Sequence, residues 1–266
     1  MELLFAEKGI ARLDRIVRPG MLCAFDFDGT LAPIVEQPEA VCLPDDMRAR
    51  LVELSSLASV AIITGRSVKD ARRPLRFDPD YVVGNHGMEG LPGADANAQR
   101  HIDVCAAWRQ ALARRLHDEE SDAGGIWIED KGHSLSLHYR AARDHDRAVA
   151  LLKELFAQLT PAPRVIGGKC VFNLLPQDAI GKGRALERLM RIAGAPSAIY
   201  VGDDETDEDV FRLRRPDLLS VRVEFCESSA AECFVPAQQD VLRLIDILIE
   251  RLRDRGEMVL ANTGRG

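Results

Sequence analysis

Two short apolar runs in this chain end abruptly in carboxylates, and that arrangement restricts the fold more than any other feature. Met21-Leu22-Cys23-Ala24-Phe25 runs straight into Asp26-Phe27-Asp28-Gly29. Ile199-Tyr200-Val201 runs into Gly202-Asp203-Asp204-Glu205-Thr206-Asp207-Glu208-Asp209. A short apolar run without alternation reads as a strand covered on both faces, as in a parallel sheet. Ser59-Val60-Ala61-Ile62-Ile63 and Tyr81-Val82-Val83 have the same character. Between the first run and Ser59, Pro44-Asp45-Asp46 opens a helix to about residue 57, with Leu51, Leu54 and Leu57 at helical spacing. Another helical stretch follows Thr64-Gly65-Arg66-Ser67. Strands alternating with helices predict βαβ units and a parallel sheet. In such a sheet ligands bind beyond the carboxyl ends of the strands.

The pattern changes near Asp95. A helix is predicted over about 100–117, strands over 126–131 and 134–140 with Gly132-His133 as a tight hairpin, a helix over 143–159, and strands over 164–166 and 169–175. The parallel pattern then resumes with a helix over 181–193, strands over 198–201 and 219–223, and an amphipathic closing helix over 240–253. The expected fold is therefore α/β. Its parallel-sheet core spans 1–97 and 177–266, and an α+β domain of 98–176 is inserted into it.

Composition removes several function classes. With 46% hydrophobic and 29% charged residues the chain is globular, not disordered. A net charge of −7 gives no basic footprint for nucleic acid, so no nucleic-acid partner is expected. No apolar run approaches the roughly 20 residues that cross a bilayer, so no membrane partner is expected either. The N-terminal segment lacks a signal-peptide pattern. None of Cys23, Cys42, Cys105, Cys170, Cys226 and Cys233 forms a CxxC pair, and all six read as small buried hydrophobes. These features suggest a reduced, cytoplasmic protein, with a monomer as the working expectation.

The chemistry sits at the strand ends. Asp26 and Asp28 placed together repel each other, and a hard divalent cation relieves that repulsion; Mg²⁺ favours oxygen ligands and phosphate. The plain alternative for Asp-x-Asp-Gly is a solvated turn. For the acidic run it is a helix N-terminus favoured by the dipole, which accounts for Glu208 and Asp209. It does not account for a run that opens at a strand end, as Asp26 does. Thr64 closes the second strand, where its hydroxyl and the following amides suit a phosphoryl oxygen. Lys182 begins a helix and offers a compact charge for phosphate and a nearby aspartate. Each of the last two, taken alone, is an ordinary structural threonine or surface lysine.

Together, Asp26-x-Asp28-Gly29-Thr30, Thr64, Lys182 and Gly202-Asp203-Asp204-x-x-Asp207 resemble the four ordered motifs of the haloacid dehalogenase (HAD) superfamily. Further segments resemble its trehalose-6-phosphate phosphatase family: Thr64-Gly65-Arg66, Asn85-His86-Gly87-Met88-Glu89, Glu129-Asp130-Lys131-Gly132, His138-Tyr139-Arg140 and Gly202–Glu208. The resemblance covers about residues 20–250. It implies a HAD-like Rossmannoid core, with the insertion between the second and third motifs acting as a cap. The implied activity is Mg²⁺-dependent hydrolysis of trehalose 6-phosphate to trehalose and phosphate. In that scheme Asp26 is the nucleophile and forms an aspartyl-phosphate. Asp28 protonates the leaving sugar oxygen and then activates water. Mg²⁺ is held by Asp26, the Asp28 carbonyl and Asp203, with Asp204 or Asp207 behind them, and Thr64 and Lys182 hold the phosphoryl oxygens.

The implied substrate contacts are Gly65, Arg66, Asn85, His86, Glu129, Lys131, Ser136, His138, Arg140, Lys169 and Asn173. Alternation assigns the insertion's faces. Trp127, Glu129 and Lys131 share one side, as do Ser134, Ser136, His138 and Arg140, and then Lys169, Val171 and Asn173. A polar face suits a sugar, although simple solvation of an antiparallel sheet gives the same pattern. Arg66 has an alternative as partner of a nearby acid, and His86 one as a structural residue. His101, His117 and His145 read as surface residues. One departure from the family matters: a Glu and then a basic residue usually stand where this chain has Asn173 and Leu175. A phosphatase for another glycosyl phosphate, such as mannosyl-3-phosphoglycerate or glucosylglycerol phosphate, and a non-catalytic sugar-phosphate sensor therefore stay open. Closure of the insertion about connections near 93–98 and 176–180, with Gly93 as a hinge position, is expected to gate the reaction.

Overall fold

The computed structural model describes residues 1–35, 40–93, 98–118, 124–168 and 170–263. The chain opens with β1 (Glu2–Leu3), α1 (Glu7–Ile16), β2 (Leu22–Phe25), α2 (Asp45–Ser55), β3 (Ser59–Ile63), α3 (Val68–Leu75) and β4 (Tyr81–Val83). Next come α4 (Ala98–Asp118), β5 (Trp127–Asp130), β6 (Leu135–His138), α5 (His145–Ala157), β7 (Arg164–Gly168) and β8 (Val171–Leu175). It closes with α6 (Lys182–Ile192), β9 (Ala198–Gly202), α7 (Glu208–Phe211), β10 (Leu218–Val223), β11 (Cys233–Val235) and α8 (Asp240–Thr263). Two compact units result: Met1–Pro92 with Gly181–Gly266, and Gly93–Ile180.

The first unit is built on a seven-stranded sheet, β1-β11-β10-β9-β2-β3-β4, whose pairings are all parallel. All four residues of β2 are fully buried, which explains the unbroken apolar run. Alternation sorts the strands onto two faces. Cys23, Phe25, Val60, Ile62, Ile199 and Val201 join one core with Leu13 and Ile16 of α1, Leu51 and Leu54 of α2, and Leu244 and Leu248 of α8. Tyr200 points to the other face, where its ring meets Phe211 edge-on, and α6 buries Leu186 and Leu189. Ala185, Leu186, Leu189 and Met190 recur at helical spacing, which gives α6 its buried stripe.

The second unit holds a four-stranded antiparallel sheet, β5-β6-β8-β7. Its core joins Leu135, Leu137 and Leu174 to Cys105, Trp108 and Leu112 of α4 and to Leu152, Leu155 and Phe156 of α5. The Trp108 indole donates to the Pro161 carbonyl at 2.8 Å, so the buried ring leaves no lone polar atom. The hairpin over Gly132 is present, with Gly132 at φ 78° and Lys131 N donating to Ser134 O at 3.0 Å. The expected α/β class with an inserted α+β unit is therefore what the chain adopts.

Three readings need correction. His101 is not a surface residue: it is buried, with Nε2 3.2 Å from Asp178. Only Cys23, Cys105 and Cys233 of the six cysteines are buried; Cys42 is exposed, and Cys170 and Cys226 are intermediate. Arg140 does not share a strand face with His138, because β6 ends at His138 and Arg140 lies exposed in the following turn. Among the described residues, no helix is long and apolar enough to cross a membrane.

Candidate active site

Three neighbouring central strands, β9, β2 and β3, end within a register step of one another. Asp203 follows β9, Asp26 follows β2 and Thr64 follows β3. Parallel pairing brings these chain-distant residues to the same edge of the sheet, where the strand ends leave a crevice. The Asp26 amide donates to Val201 O at 2.8 Å, so the first residue past β2 is still tied to β9.

Lys182, the first residue of α6, completes the group. Its Nζ lies 2.7 Å from Asp207 Oδ1 and 3.1 Å from Asp26 Oδ1, and its side chain is 1% exposed. Burial alone would drive this ammonium down, but Asp207 and Asp26 outweigh it and hold it above its ordinary value. Burial pushes the Asp26 carboxyl well above the usual range; Lys182 opposes this, while Asp207, Asp203 and Asp28 add to it. Asp203 is pushed up to about 7 by burial and by Asp207, against the pull of Lys182. Three carboxylates around one ammonium leave an excess of negative charge.

A carboxylate oxygen from each of Asp26, Asp203 and Asp207 lies within 4.8 Å of the others. An all-oxygen donor set with unrelieved repulsion fits a hard divalent cation. The surroundings reinforce the fit. A Cβ on Gly29 would stand 2.1 Å from Asp203 Oδ2, so only glycine lets the loop close on this carboxylate. Thr30 Oγ1 donates to Asp203 Oδ1 at 3.1 Å, and Gln238 Nε2 holds the Thr30 carbonyl at 3.1 Å.

Asp207 has a different role from Asp26 and Asp203. Its Oδ1 accepts from Lys182 Nζ at 2.7 Å and from the Tyr200 hydroxyl at 2.5 Å, while its Oδ2 accepts the amides of Asp203 and Asp204, each at 2.9 Å. Four donors occupy the carboxylate, which makes Asp207 an organiser of the loop. Asp204 turns its Oδ1 onto the Glu205 amide at 2.7 Å and caps its own turn, so it lies outside the three-carboxylate group. Tyr200 carries no sequence signal beyond being the one hydroxyl in an otherwise apolar strand.

Arg66 grips Asp28 with a two-pronged contact, Nε to Oδ2 and Nη2 to Oδ1, both at 2.6 Å, and its guanidinium lies over the Phe27 ring. Of the two roles open to Arg66, the structure shows pairing with an acid. Thr64 is buried, and its hydroxyl oxygen accepts the Arg66 amide at 3.2 Å. The loop after β4 is wired onto this turn: Asn85 N donates to Arg66 O at 2.7 Å and His86 N to Thr64 O at 2.9 Å. Asn85 and His86 adopt left-handed backbone, φ 50° and 57°. The His86 ring lies against Gly65, where a Cβ would come within 2.5 Å of Cε1. Asn85 Nδ2 donates to Glu89 Oε2 at 2.8 Å, and the same oxygen accepts the Val68 amide, so Asn85 and Glu89 fix the entry to α3.

In the inserted unit, Glu129, Ser136 and Asn173 stand in one cross-strand row on the face opposite the apolar core. Ser136 Oγ donates to Asn173 Oδ1 at 2.7 Å. His138 Nε2 lies 2.9 Å and Lys131 Nζ 3.5 Å from Glu129 Oε2. Burial would raise the Glu129 carboxyl, but the His138 hydrogen bond and the Lys131 charge outweigh it and hold it below its ordinary value. Trp127, half exposed, stacks on His138 with ring centres 4.0 Å apart. Trp127 was not among the expected substrate contacts; its place on the same strand face as Glu129 is the signal that could have added it. Lys169 lies outside the described residues.

The family described as trehalose-phosphatase matches residues 24–238. A trehalose-phosphate phosphatase from Mycobacterium avium is 37% identical over 196 residues, covering 70% of this chain and 49% of that one. An uncharacterized glycosyl hydrolase from Mycobacterium tuberculosis is 36% identical over 197 residues, 70% of this chain but 15% of that one. The chain thus spans half or less of the length of these two relatives. Among solved structures, the C-terminal domain of the C. albicans trehalose-6-phosphate phosphatase superposes with a TM-score of 0.76 at 21% identity, covering 92% of this chain and 98% of that one. At that identity the likeness speaks for the fold.

Proposed function

Since this chain belongs to the trehalose-phosphatase family, we propose that it is a phosphatase hydrolysing trehalose 6-phosphate to trehalose and phosphate. The observation that carries this reading is the buried Lys182 ammonium bridging Asp26 and Asp207 at the ends of the central parallel strands. A nucleophilic carboxylate, a fixed cation for the phosphoryl oxygens and a carboxylate group for a metal are then in one place.

An oxygen of Asp26 bonds to phosphorus as the bond from phosphorus to the sugar oxygen breaks, giving an aspartyl-phosphate. Asp28 gives a proton to the departing oxygen, then takes one from water as the water oxygen attacks phosphorus. Phosphate leaves and Asp26 is restored. Arg66 engages one lone pair on each Asp28 oxygen, which orients the carboxyl group and leaves further lone pairs to carry the proton. Lys182 and Thr64 hold phosphoryl oxygens, and this work is mainly positioning and electrostatics. Mg²⁺, held by Asp26, Asp203 and the Asp28 carbonyl, would neutralise charge so that an anionic nucleophile meets an anionic phosphate.

For the sugar, the row of Glu129, Ser136 and Asn173 with His138 and Lys131 supports recognition of hydroxyls. Polar groups of this kind reject a ligand that leaves them unpaired. The net charge of −7 and the unpaired cysteines suit a cytoplasmic enzyme acting as a monomer on a small sugar phosphate.

The test is phosphate release from trehalose 6-phosphate, glucose 6-phosphate, sucrose 6-phosphate and mannosyl-3-phosphoglycerate, with Mg²⁺ and with chelator. The expected result is preference for trehalose 6-phosphate, loss with chelator, and loss in Asp26→Asn. Another preferred glycosyl phosphate would keep the chemistry and overturn the substrate. Tight sugar-phosphate binding without turnover would make the protein a sensor.

A further inference from the structure

The acidic run after β9 holds six carboxylates, more than the reaction uses, and all but the exposed Glu205 have a place of their own. Asp203 joins the three-carboxylate group, Asp204 caps its turn and Asp207 gathers Lys182, Tyr200 and two amides. Glu208 accepts the Ala230 amide at 2.9 Å and pairs with Arg222 at 3.4 Å. Asp209 does not serve its own helix. Its Oδ2 accepts the Gly183 amide at 3.0 Å, on α6.

That contact meets a need of the local structure. The first amides of a helix lack intrahelical partners and are usually met by a side chain at the N-cap. α6 has Gly181 at its N-cap and no side-chain cap bond of its own. Asp209 supplies the acceptor from a different helix. The fit is close on both sides of Lys182. A Cβ on Gly181 would stand 2.0 Å from Asp209 Oδ2, and one on Gly183 would stand 2.5 Å from the Asp209 carbonyl oxygen. Glycine at both flanking positions is what lets the backbone of Lys182 lie against Asp209.

We infer that Asp209 is a positioning residue for Lys182, fixing the backbone from which the lysine reaches the site. The inference rests on the reading of Lys182 as a holder of the phosphoryl group. One short stretch then controls the lysine at both ends: Asp207 takes the ammonium and Asp209 anchors the stem. Lysine has a long, flexible stem, so the ammonium is aimed only as well as its starting point is fixed. A displacement of about 1 Å at such a distance from the chemistry lowers rates by up to about 100-fold.

The test compares Asp209→Ala, Asp209→Asn and Gly181→Ala in the full chain, each assayed well below its melting temperature. The readouts are kcat, KM, inhibition by inorganic phosphate, and Tm. Asp209→Ala is expected to lower kcat and to weaken phosphate inhibition together, each by about 10-fold, within the range a misplaced group produces. Asp209→Asn keeps an acceptor oxygen and is expected to recover most of both. Gly181→Ala, which drives a methyl into the carboxylate, is expected to reproduce the alanine variant and carries the same test should that variant fail to fold. A lower Tm with unchanged kcat and phosphate inhibition in Asp209→Ala would make the contact a helix cap and nothing more. Failure of the wild type to turn over any phosphate ester would defeat the phosphatase reading instead. Inorganic phosphate binding by calorimetry would then decide on Asp209 alone.

Discussion

Lys182 serves two carboxylates at once, and its neighbours show why one ammonium is not enough. Asp26 and Asp203 are both held above the usual carboxylate range, with Asp203 near 7, because burial and mutual repulsion exceed what Lys182 offsets. The pH consequence has a definite sign. A carboxyl raised from 3.8 to about 7 on folding contributes stability that is fully present below about pH 4 and lost as pH rises through about 7. A divalent cation bound to the ionised group offsets that loss. The rise in Tm caused by Mg²⁺ is therefore expected to be larger at about pH 8 than at about pH 5, read from melts with Mg²⁺ and with chelator. Equal rises, or none, would contradict the carboxylate group as a cation site. Tyr200→Phe removes one donor to a buried charge and is expected to destabilise the fold by about 1.5–3 kcal/mol, measured by urea titration. Unchanged stability would mean that the 2.5 Å contact contributes nothing. Asp26 and Asp203 were legible in the sequence because acid-terminated strand ends have a recognisable pattern, and Lys182 only through the resemblance of the four ordered motifs. Tyr200 and Asp209 were not. Alternation tells which face a side chain takes, and no local pattern tells which carboxylate of a distant segment will meet it there.

At the level of elements, bounded apolar runs and alternating segments were the readable ones. β3 and β4 were expected at the residues where they occur, and the two hairpins of the insertion were recognisable from alternation and Gly132. β1 and β11, of two and three residues, extend the sheet by parallel pairing at its edge. β4 has only three residues and was readable, so length did not hide them; pairing at the sheet edge is what makes them strands. Arg140 shows the same limit from the other side, since a polar residue continuing the alternation lies past the end of β6. The insertion's own core predicts a local response. Leu152→Ala is expected to cost about 2–5 kcal/mol, as buried leucine truncations do. Faster hydrogen exchange should then concentrate in α4, α5 and the four-stranded sheet; uniform acceleration through the parallel sheet as well would contradict a separate core. On the opposite face, Asn173→Ala leaves Ser136 without its 2.7 Å acceptor. It is expected to raise KM for trehalose 6-phosphate several-fold, by about the 1 kcal/mol typical of one hydrogen bond, with kcat little changed. An unchanged kcat/KM would remove Asn173 from recognition.

For the whole molecule, a chain cut by one insertion still builds a single parallel sheet whose central strands come from both sides of the cut. β2 and β3 precede the inserted unit, and β9 follows it. The catalytic reading depends on that closure, because Asp26 and Thr64 arrive with the first segment and Lys182, Asp203 and Asp207 with the second. The order of the acid-terminated strands makes this much legible in the amino-acid sequence itself. The sequence offers Arg66 a nearby acid and Lys182 a nearby aspartate, but that these partners are Asp28 and Asp207 emerges only in the folded chain, where segments far apart in sequence meet. The proposed chemistry turns on covalent phosphorylation of Asp26. The most direct measurement is intact-protein and peptide mass after acid quench during turnover of trehalose 6-phosphate. The expected result is the added mass of one phosphoryl group on the peptide containing Asp26, absent in Asp26→Asn. Full turnover with no phosphorylated enzyme, and activity retained in Asp26→Asn, would contradict it and point to direct attack by water.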